Sequence, residues 1–162
     1  MKRPDPVKKL IRCCIYTRVS TDEQARRDNN SLETQETYCE RYIALHEMEG
    51  FTKLKTIKDP GYSAKDLKRP GMRQLIASIE TGEIEMIVAY RFDRLTRSIR
   101  DFYELWTLME KHGVQFASAT ESIDTSTPIG RTMLNVLLSF AQMEREVTCE
   151  RLQDKFAVEA SE

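Results

Sequence analysis

The chain has 162 residues, of which 40% are hydrophobic and 31% are charged, and its formal net charge is −1. This length predicts one domain with a sizeable core, and no apolar run is long enough to span a membrane. Its four cysteines include no Cys-x-x-Cys pair, so the spacing predicts no zinc site. We expect a cytoplasmic protein with reduced thiols.

Short apolar runs and helical patterns alternate along the first 120 residues. In chain order the sequence predicts a strand over 10–18, a helix over 31–48 capped by Ser31, and a strand over 51–58. The apolar residues of 61–69 follow neither a helical nor a strand period, so this segment is predicted to form a mobile loop. A helix over 70–79, a strand over 84–90, a helix over 97–112 and a strand over 114–120 follow. This alternation predicts an α/β fold: a mostly parallel, four- to five-stranded sheet with helices on both faces.

A long C-terminal helix is predicted from residue 129 to about residue 156, which at 1.5 Å per residue is ~42 Å long. Its first half is apolar almost all round: Met133, Leu134, Val136, Leu137, Leu138, Phe140, Ala141 and Met143. Such a helix needs burial on every side. It is interpreted either as an oligomer interface or as a central core helix. We divide the chain into an α/β domain at 1–128 and a helix for oligomerisation at 129–158.

Polar residues collect where the predicted strands end. The carboxyl ends of parallel strands share one edge of the sheet, where ligands bind. The residues expected at this edge are Arg18, Ser20, Asp59, Arg91, Asp93, Arg94, Arg97 and Glu121, and the loop adds Ser63, Lys65, Lys68 and Arg69.

Two phosphoryl chemistries fit this edge. In the first, Ser20 is a nucleophile and the arginines bind the phosphate under attack, because guanidinium groups hold phosphate oxygens bidentately. In the second, Asp59, Asp93 and Glu121 hold divalent metals that hydrolyse phosphodiesters. The arginines on either side of Asp93 favour the serine chemistry. A module that binds phosphate or dimerises without catalysis is a third hypothesis.

Several motifs resemble the catalytic domain of serine site-specific recombinases, and the likeness spans nearly the whole chain. Tyr16-Thr-Arg-Val-Ser-Thr-Asp-Glu-Gln24 resembles the family's nucleophile motif, and Gly61-Tyr-Ser-Ala followed by Lys68-Arg-Pro-Gly71 resembles its active-site loop. Arg91-Phe-Asp-Arg-Leu-Thr-Arg97 and Ala141-Gln-Met-Glu-Arg145 resemble two further family motifs. Ser31-Leu-Glu-Thr-Gln35 and Glu121-Ser-Ile-Asp-Thr125 look most like the large serine recombinase branch.

The resemblance implies a resolvase-like fold and a reaction without cofactor, metal or ATP. Ser20 would attack double-stranded DNA to form a 5′-phosphoserine intermediate, followed by strand exchange and religation. The implied catalytic residues are Ser20, Arg18, Gln24, Ser63, Arg69, Asp93, Arg94, Arg97 and Arg145. We assign DNA binding to Lys65, Lys68, Arg91, Arg145 and Arg151.

The resemblance also implies a homodimer that becomes a tetramer when two DNA sites meet. The interface is assigned to Met133, Leu137, Phe140 and Glu144. The family's sequence-specific DNA-binding region follows the long helix, and we expect that region to be absent from this sequence. The implied source is a bacterium, a phage or a transposon.

Overall fold

The computed structural model describes residues 9–20, 31–61, 67–96, 98–140 and 142–143. The strands are β1 (Ile11–Val19), β2 (Phe51–Pro60), β3 (Met86–Ala89) and β4 (Gln115–Ser118). The helices are α1 (Leu32–Leu45), α2 (Pro70–Glu80), α3 (Phe92–Leu95) and α4 (Ile99–His112), with a 3₁₀ turn at Glu47–Glu49. A further helix, α5, covers residues 128–140, and 142–143 are also helical.

The four strands form one parallel sheet in the order β2-β1-β3-β4, which confirms the predicted fold class. The chain passes from β1 to β2 on one side and reaches β3 on the other side of β1. The carboxyl ends of β1 and β3 therefore flank the point where the strand order reverses. In open α/β sheets this point is the usual place for a ligand site.

Helices cover both faces of the sheet, as the sequence predicts. On one face, Cys39 and Ile43 of α1 pack in a core with Ile15 and Val88. On the other face, α2 and α4 pack around Phe116 and the rest of a larger core. Burial of each large apolar side chain in such cores contributes about 1.5–3 kcal/mol to folding.

Three cysteines belong to these cores rather than to a reactive site. Burial raises the pKa of Cys13 to about 11 and the pKa of Cys14 and Cys39 to about 12, so all three thiols are protonated at neutral pH. Among the described residues, no cluster of His, Cys, Asp and Glu could hold a metal ion. None of the described helices is long and apolar enough to cross a membrane.

The predicted helix over 97–112 begins later than the sequence indicates. Thr96 is extended (φ −159°, ψ 151°), and Ser98 caps α4 by accepting a hydrogen bond from the Asp101 N–H at 3.3 Å. Arg91, Arg94 and Arg100 are therefore not one row on a continuous helix, because an extended residue separates α3 from α4.

Helix α5 has one buried face and one exposed face. Leu134 is fully buried in the larger core and Leu138 packs against that core. By contrast, Leu137, Met133 and Phe140 are 41%, 45% and 58% exposed. This exposed face favours the interpretation of the segment as an oligomer interface over that of a central core helix, because a core helix is covered on every side.

The start of α5 is held against Asp124. The Asp124 carboxylate accepts hydrogen bonds from Ser126 and from the Tyr42 hydroxyl on α1. A Cβ placed on Gly130 would lie 1.8 Å from the Asp124 carbonyl oxygen. Only glycine therefore allows α5 to pack this close to the preceding turn.

We predict that Gly130→Ala lowers stability and shifts the start of α5. The clash is with a main-chain oxygen, which cannot rotate away, and forcing extra atoms into a packed site costs about 1–3 kcal/mol. Urea unfolding followed by circular dichroism measures the loss. Ser139→Ala, at an exposed position of the same helix, is the control and should unfold at the parent midpoint. A Gly130→Ala midpoint equal to the parent's would contradict the close packing.

Candidate active site

Arg18 and Arg94 bind each other's main chain at the carboxyl ends of β1 and β3. The Arg18 guanidinium donates from Nε to the Arg94 carbonyl at 3.3 Å and from Nη2 to the Asp93 carbonyl at 3.4 Å. Arg94 Nη1 donates in return to the Arg18 carbonyl at 3.2 Å. Both residues are buried, at 0% and 3% exposure. Two guanidinium groups therefore lie between β1 and α3.

Ser20 follows a strand end whose main chain is fixed on both sides. The side-chain amide of Gln35 on α1 accepts from the Arg18 N–H at 3.3 Å and donates to the Arg18 carbonyl at 3.1 Å. The Val19 carbonyl accepts from the Gly61 N–H at 2.8 Å. Because the main chain of the two residues before Ser20 is held by these hydrogen bonds, the main chain of the half-buried serine has a defined position.

A second buried cluster joins β2 to the start of α2. Asp59 accepts from the Tyr16 hydroxyl at 2.5 Å, forms an ion pair with Arg69 Nε at 3.3 Å, and accepts from the Gly71 N–H at 2.7 Å. Arg69 Nε also donates to the Tyr16 hydroxyl oxygen at 2.7 Å. A Cβ on Gly71 would lie 2.6 Å from the Asp59 carboxyl carbon, so glycine allows this close approach.

The neutral phenol of Tyr16 forms hydrogen bonds with both the Asp59 carboxylate and the Arg69 guanidinium. Burial raises the pKa of the Tyr16 hydroxyl, the Arg69 guanidinium opposes that rise, and the hydrogen bond to Asp59 adds to it. A protonated phenol can donate to the carboxylate while accepting from the guanidinium. The three groups therefore form one satisfied network in which the Arg69 side chain has a fixed direction.

Arg69 connects this network to the arginines of β1 and α3. Its Nη2 donates to the Leu95 carbonyl at the end of α3, and Arg69 is only 4% exposed. Arg18 binds the carbonyls of the two residues before Leu95. The structure thus brings three predicted site residues, Arg18, Arg69 and Arg94, to one short helix.

Asp93 and Arg91 lie at the outer side of the same helix. Asp93 Oδ1 is 3.6 Å from Arg91 Nε and 3.7 Å from Arg94 Nε. These separations are ion pairs without a hydrogen bond. The Arg91 side chain is half exposed, whereas Arg94 is buried. Asp93 therefore balances charge between an outer and an inner arginine.

The arrangement does not support the alternative of a metal centre built from Asp59, Asp93 and Glu121. Both oxygens of Asp59 are occupied by the donors described above. The Glu121 carboxylate accepts from the Phe92 N–H at 2.6 Å and from the Ser118 hydroxyl at 2.8 Å. Asp59 lies near the end of β2, whereas Glu121 binds the start of α3 and the last residue of β4, and β1 and β3 separate β2 from β4. The three carboxylates therefore do not converge.

Several predicted site residues lie outside the described part of the chain. They are Gln24, Ser63, Lys65, Arg97, Glu144, Arg145 and Arg151. Of the remaining DNA-binding assignments, Lys68 and Arg91 are exposed beside the site. The structure therefore shows where the described site residues lie, and the assignments of the others stay predictions.

Two residues of the site, Tyr16 and Gln35, have no role predicted from the sequence. Asp59 is predicted from the sequence only as a possible metal ligand. The sequence held a signal for Asp59, because this residue directly follows the predicted strand over 51–58 and parallel strands end at one edge of a sheet. The structure pairs it with Arg18 in the register. Gln35 gave no such signal, since its contact is to main-chain atoms that any residue at position 18 would offer.

Comparison with known proteins supports this description. Residues 13–162 match the family described as "Resolvase, N terminal domain". A DNA-invertase of Escherichia phage P1 is 35% identical over 137 residues, which cover 84% of this chain and 63% of the invertase. The Tn917 resolvase of Enterococcus faecalis is 35% identical over 136 residues, covering 84% of this chain and 64% of the resolvase.

Two solved structures share the fold. The N-terminal catalytic domain of TP901-1 integrase superimposes with a TM-score of 0.70 at 35% identity, covering 84% of this chain and 98% of that domain. A resolvase family site-specific recombinase from Streptococcus pneumoniae superimposes with a TM-score of 0.72 at 24% identity, covering 94% of this chain and 99% of that chain. The likeness to this second structure concerns the fold alone.

The parallel sheet and the site at its carboxyl edge define the class as a serine recombinase catalytic-domain fold. The chain belongs to the resolvase family, to whose N-terminal domain it corresponds. It spans just under two thirds of the length of the curated relatives that it matches, 63% for the P1 invertase and 64% for the Tn917 resolvase.

Proposed function

We propose that this chain is the catalytic domain of a site-specific DNA recombinase whose nucleophile is Ser20. The Ser20 Oγ attacks a phosphodiester of double-stranded DNA. An Oγ–P bond forms, the bond from phosphorus to the 3′ oxygen breaks, the serine gives up its proton, and the 3′ oxygen takes one up. The products are a 5′-phosphoserine ester and a free 3′-hydroxyl.

Religation reverses this step on an exchanged strand. A 3′-hydroxyl attacks the phosphoserine ester, the DNA phosphodiester reforms, and Ser20 is released with its proton. The ester conserves the energy of the original phosphodiester bond, so the proposed reaction needs neither ATP nor a metal ion.

The observation that carries the proposal is the position of Ser20 two residues after Arg18, at the sheet edge where Arg69 and Arg94 also lie. A pentacovalent phosphorus carries more negative charge on its oxygens than the ground state does. Preorganised cationic donors stabilise that charge most where water is excluded. Guanidinium groups suit this role because they remain charged and present planar, paired donors.

Further residues that the family resemblance implies complete the proposed site. We propose that Gln24, Ser63, Arg97 and Arg145 act with the inner arginines on the scissile phosphate, on the strength of the family resemblance. DNA phosphates on either side contact further cationic side chains, because such contacts supply most of the affinity for a duplex. These proposed cations are Lys65, Lys68, Arg91, Arg145 and Arg151.

Covalent capture tests this function. The purified chain, joined after residue 162 to a sequence-specific DNA-binding region, is incubated with genomic DNA of its source organism in the presence of a chelator, and the reaction is stopped with detergent. We expect DNA whose 5′ ends remain attached to protein, and sequencing of those ends identifies the sites. A metal nuclease would give free ends that chelator abolishes, and a binding module would leave the DNA intact.

We further propose that the exposed face of α5 forms the interface of a homodimer, and of a tetramer when two DNA sites are joined. Met133, Leu137 and Phe140 recur at intervals of four and three residues, so they share one side of the helix. An apolar stripe of this kind normally faces a partner. Glu144 is proposed to extend the same interface.

We predict that Leu137→Glu and Phe140→Glu each reduce the chain to monomers without unfolding it. A buried carboxylate without a partner disfavours the associated state, whereas the same side chain is solvated in a monomer. Sedimentation measures the mass, with Asn135→Glu as a control on the same helix. If the mass is unchanged and stability falls instead, the stripe is covered by this chain and not by a second copy.

We place the proposed reaction in the cytoplasm of a bacterium, on bacterial, phage or transposon DNA. The relatives described above come from phage P1 and from transposon Tn917. Their names supply this context, and captured DNA ends that map to such an element would support it.

A further inference from the structure

We propose that Glu121 is a positioning residue that holds the catalytic segment Asp93–Arg94 in place by capping α3. The inference rests on the proposed function, since it concerns the same site. Glu121 lies in the turn after β4, outside the strands that carry the arginines. It would act through the main chain of α3 and not by touching DNA.

The first step is the need of α3 for an external partner. This helix has four residues, Phe92–Leu95, and helices so short do not form by themselves because nucleation is unfavourable. Its N-cap residue, Arg91, provides no side-chain cap. The first N–H of the helix, that of Phe92, donates to Glu121 Oε2 at 2.6 Å. Glu121 therefore supplies the cap that the local sequence lacks.

The second step is that the capping carboxylate is itself fixed. The same Oε2 atom accepts from the Ser118 hydroxyl at 2.8 Å. That hydroxyl also lies 3.3 Å from the Tyr90 carbonyl, which accepts from the Thr120 hydroxyl at 2.7 Å. Hydrogen bonds from Ser118 and Thr120 thus hold the turn at 118–121 against Tyr90, the residue after β3. The bond from Ser118 also fixes the position of the Glu121 carboxylate.

The third step is the consequence for the arginines. Arg18 donates to the carbonyls of Asp93 and Arg94, and Arg94 donates to the carbonyl of Arg18. A shift of α3 therefore displaces both guanidinium groups relative to Ser20. Misplacement of a catalytic group by about 1 Å can cost on the order of 100-fold in rate.

The variants separate this role from a general effect of charge or stability. Glu121→Gln keeps an oxygen acceptor of the same reach, so it retains both hydrogen bonds and loses only the charge. Glu121→Ala loses the acceptor. The matched control is Glu110→Ala, which removes an exposed glutamate from α4. All variants are measured below their unfolding midpoints.

The experiment uses the DNA ends identified by covalent capture, cloned into a plasmid, with the parent in excess for single-turnover measurement. We expect Glu121→Ala to form the protein–DNA ester about 10- to 100-fold more slowly, at unchanged DNA affinity. Glu121→Gln should react within about threefold of the parent, because the acceptor is restored. Glu110→Ala should match the parent.

Amide hydrogen exchange provides a readout that does not depend on activity. We expect the Phe92 N–H to exchange faster in Glu121→Ala and at the parent rate in Glu121→Gln. Parent-like ester formation by Glu121→Ala, or an equal loss in Ala and Gln, overturns the positioning role. If the parent itself forms no ester, the proposed function fails, while exchange at Phe92 still decides whether Glu121 holds α3.

Discussion

Ser20→Ala should abolish formation of the protein–DNA ester while leaving the fold and the affinity for DNA unchanged. The hydroxyl oxygen becomes part of the covalent bond, so no neighbouring group can replace it. Affinity for the duplex comes mainly from phosphate contacts made by cationic side chains, which this substitution does not alter. The measurement is the yield of protein-linked 5′ ends, together with a DNA-binding isotherm at fixed salt.

Ser139→Ala is the matched control, since it removes a hydroxyl from an exposed position of α5. It should give the parent yield of protein-linked ends. A chelator should leave the parent reaction unchanged. Formation of protein-linked ends by Ser20→Ala at the parent rate would show that Ser20 is not the nucleophile. Loss of the parent reaction on addition of chelator would show the same.

The placement of the main site residues could be predicted because it depends on pattern alone. Alternating strands and helices dictate a parallel sheet, and parallel strands end at one edge. Arg18, Ser20, Asp93 and Arg94 lie at or shortly after the ends of two strands that the apolar runs identify. The order of the strands then places these residues at the switch point without any knowledge of side-chain contacts.

Other features could not be predicted because they depend on tertiary contacts. The sequence indicates a phosphate-binding role for Arg18, yet its guanidinium is fully buried against the carbonyls of α3. Gln35 reaches the same strand end from α1, through bonds between residues 17 positions apart. Likewise, the apolar pattern around α5 did not reveal which side packs on the sheet.

Asp59→Asn should cost more stability than any surface substitution and should also slow ester formation. Asp59 is 1% exposed and is the carboxylate partner of Arg69. An amide keeps one acceptor for the Gly71 N–H, but its NH₂ group would face the donors of Tyr16 and Arg69. Removing one partner of a buried ion pair typically costs about 3–5 kcal/mol, because the remaining charge is left uncompensated.

A double-mutant cycle separates that network from unrelated losses. Asp59→Asn combined with Arg69→Met removes both charges, so the pair should cost less than the sum of the two single changes. Glu104→Gln breaks the exposed ion pair with Arg100 and should leave the urea midpoint unchanged.

Ester formation by folded Asp59→Asn should fall by on the order of 100-fold, because Arg69 loses the carboxylate that orients it. Strictly additive costs would show that Asp59 and Arg69 act separately. Parent-like ester formation by Asp59→Asn would show that the direction of Arg69 is immaterial to the reaction.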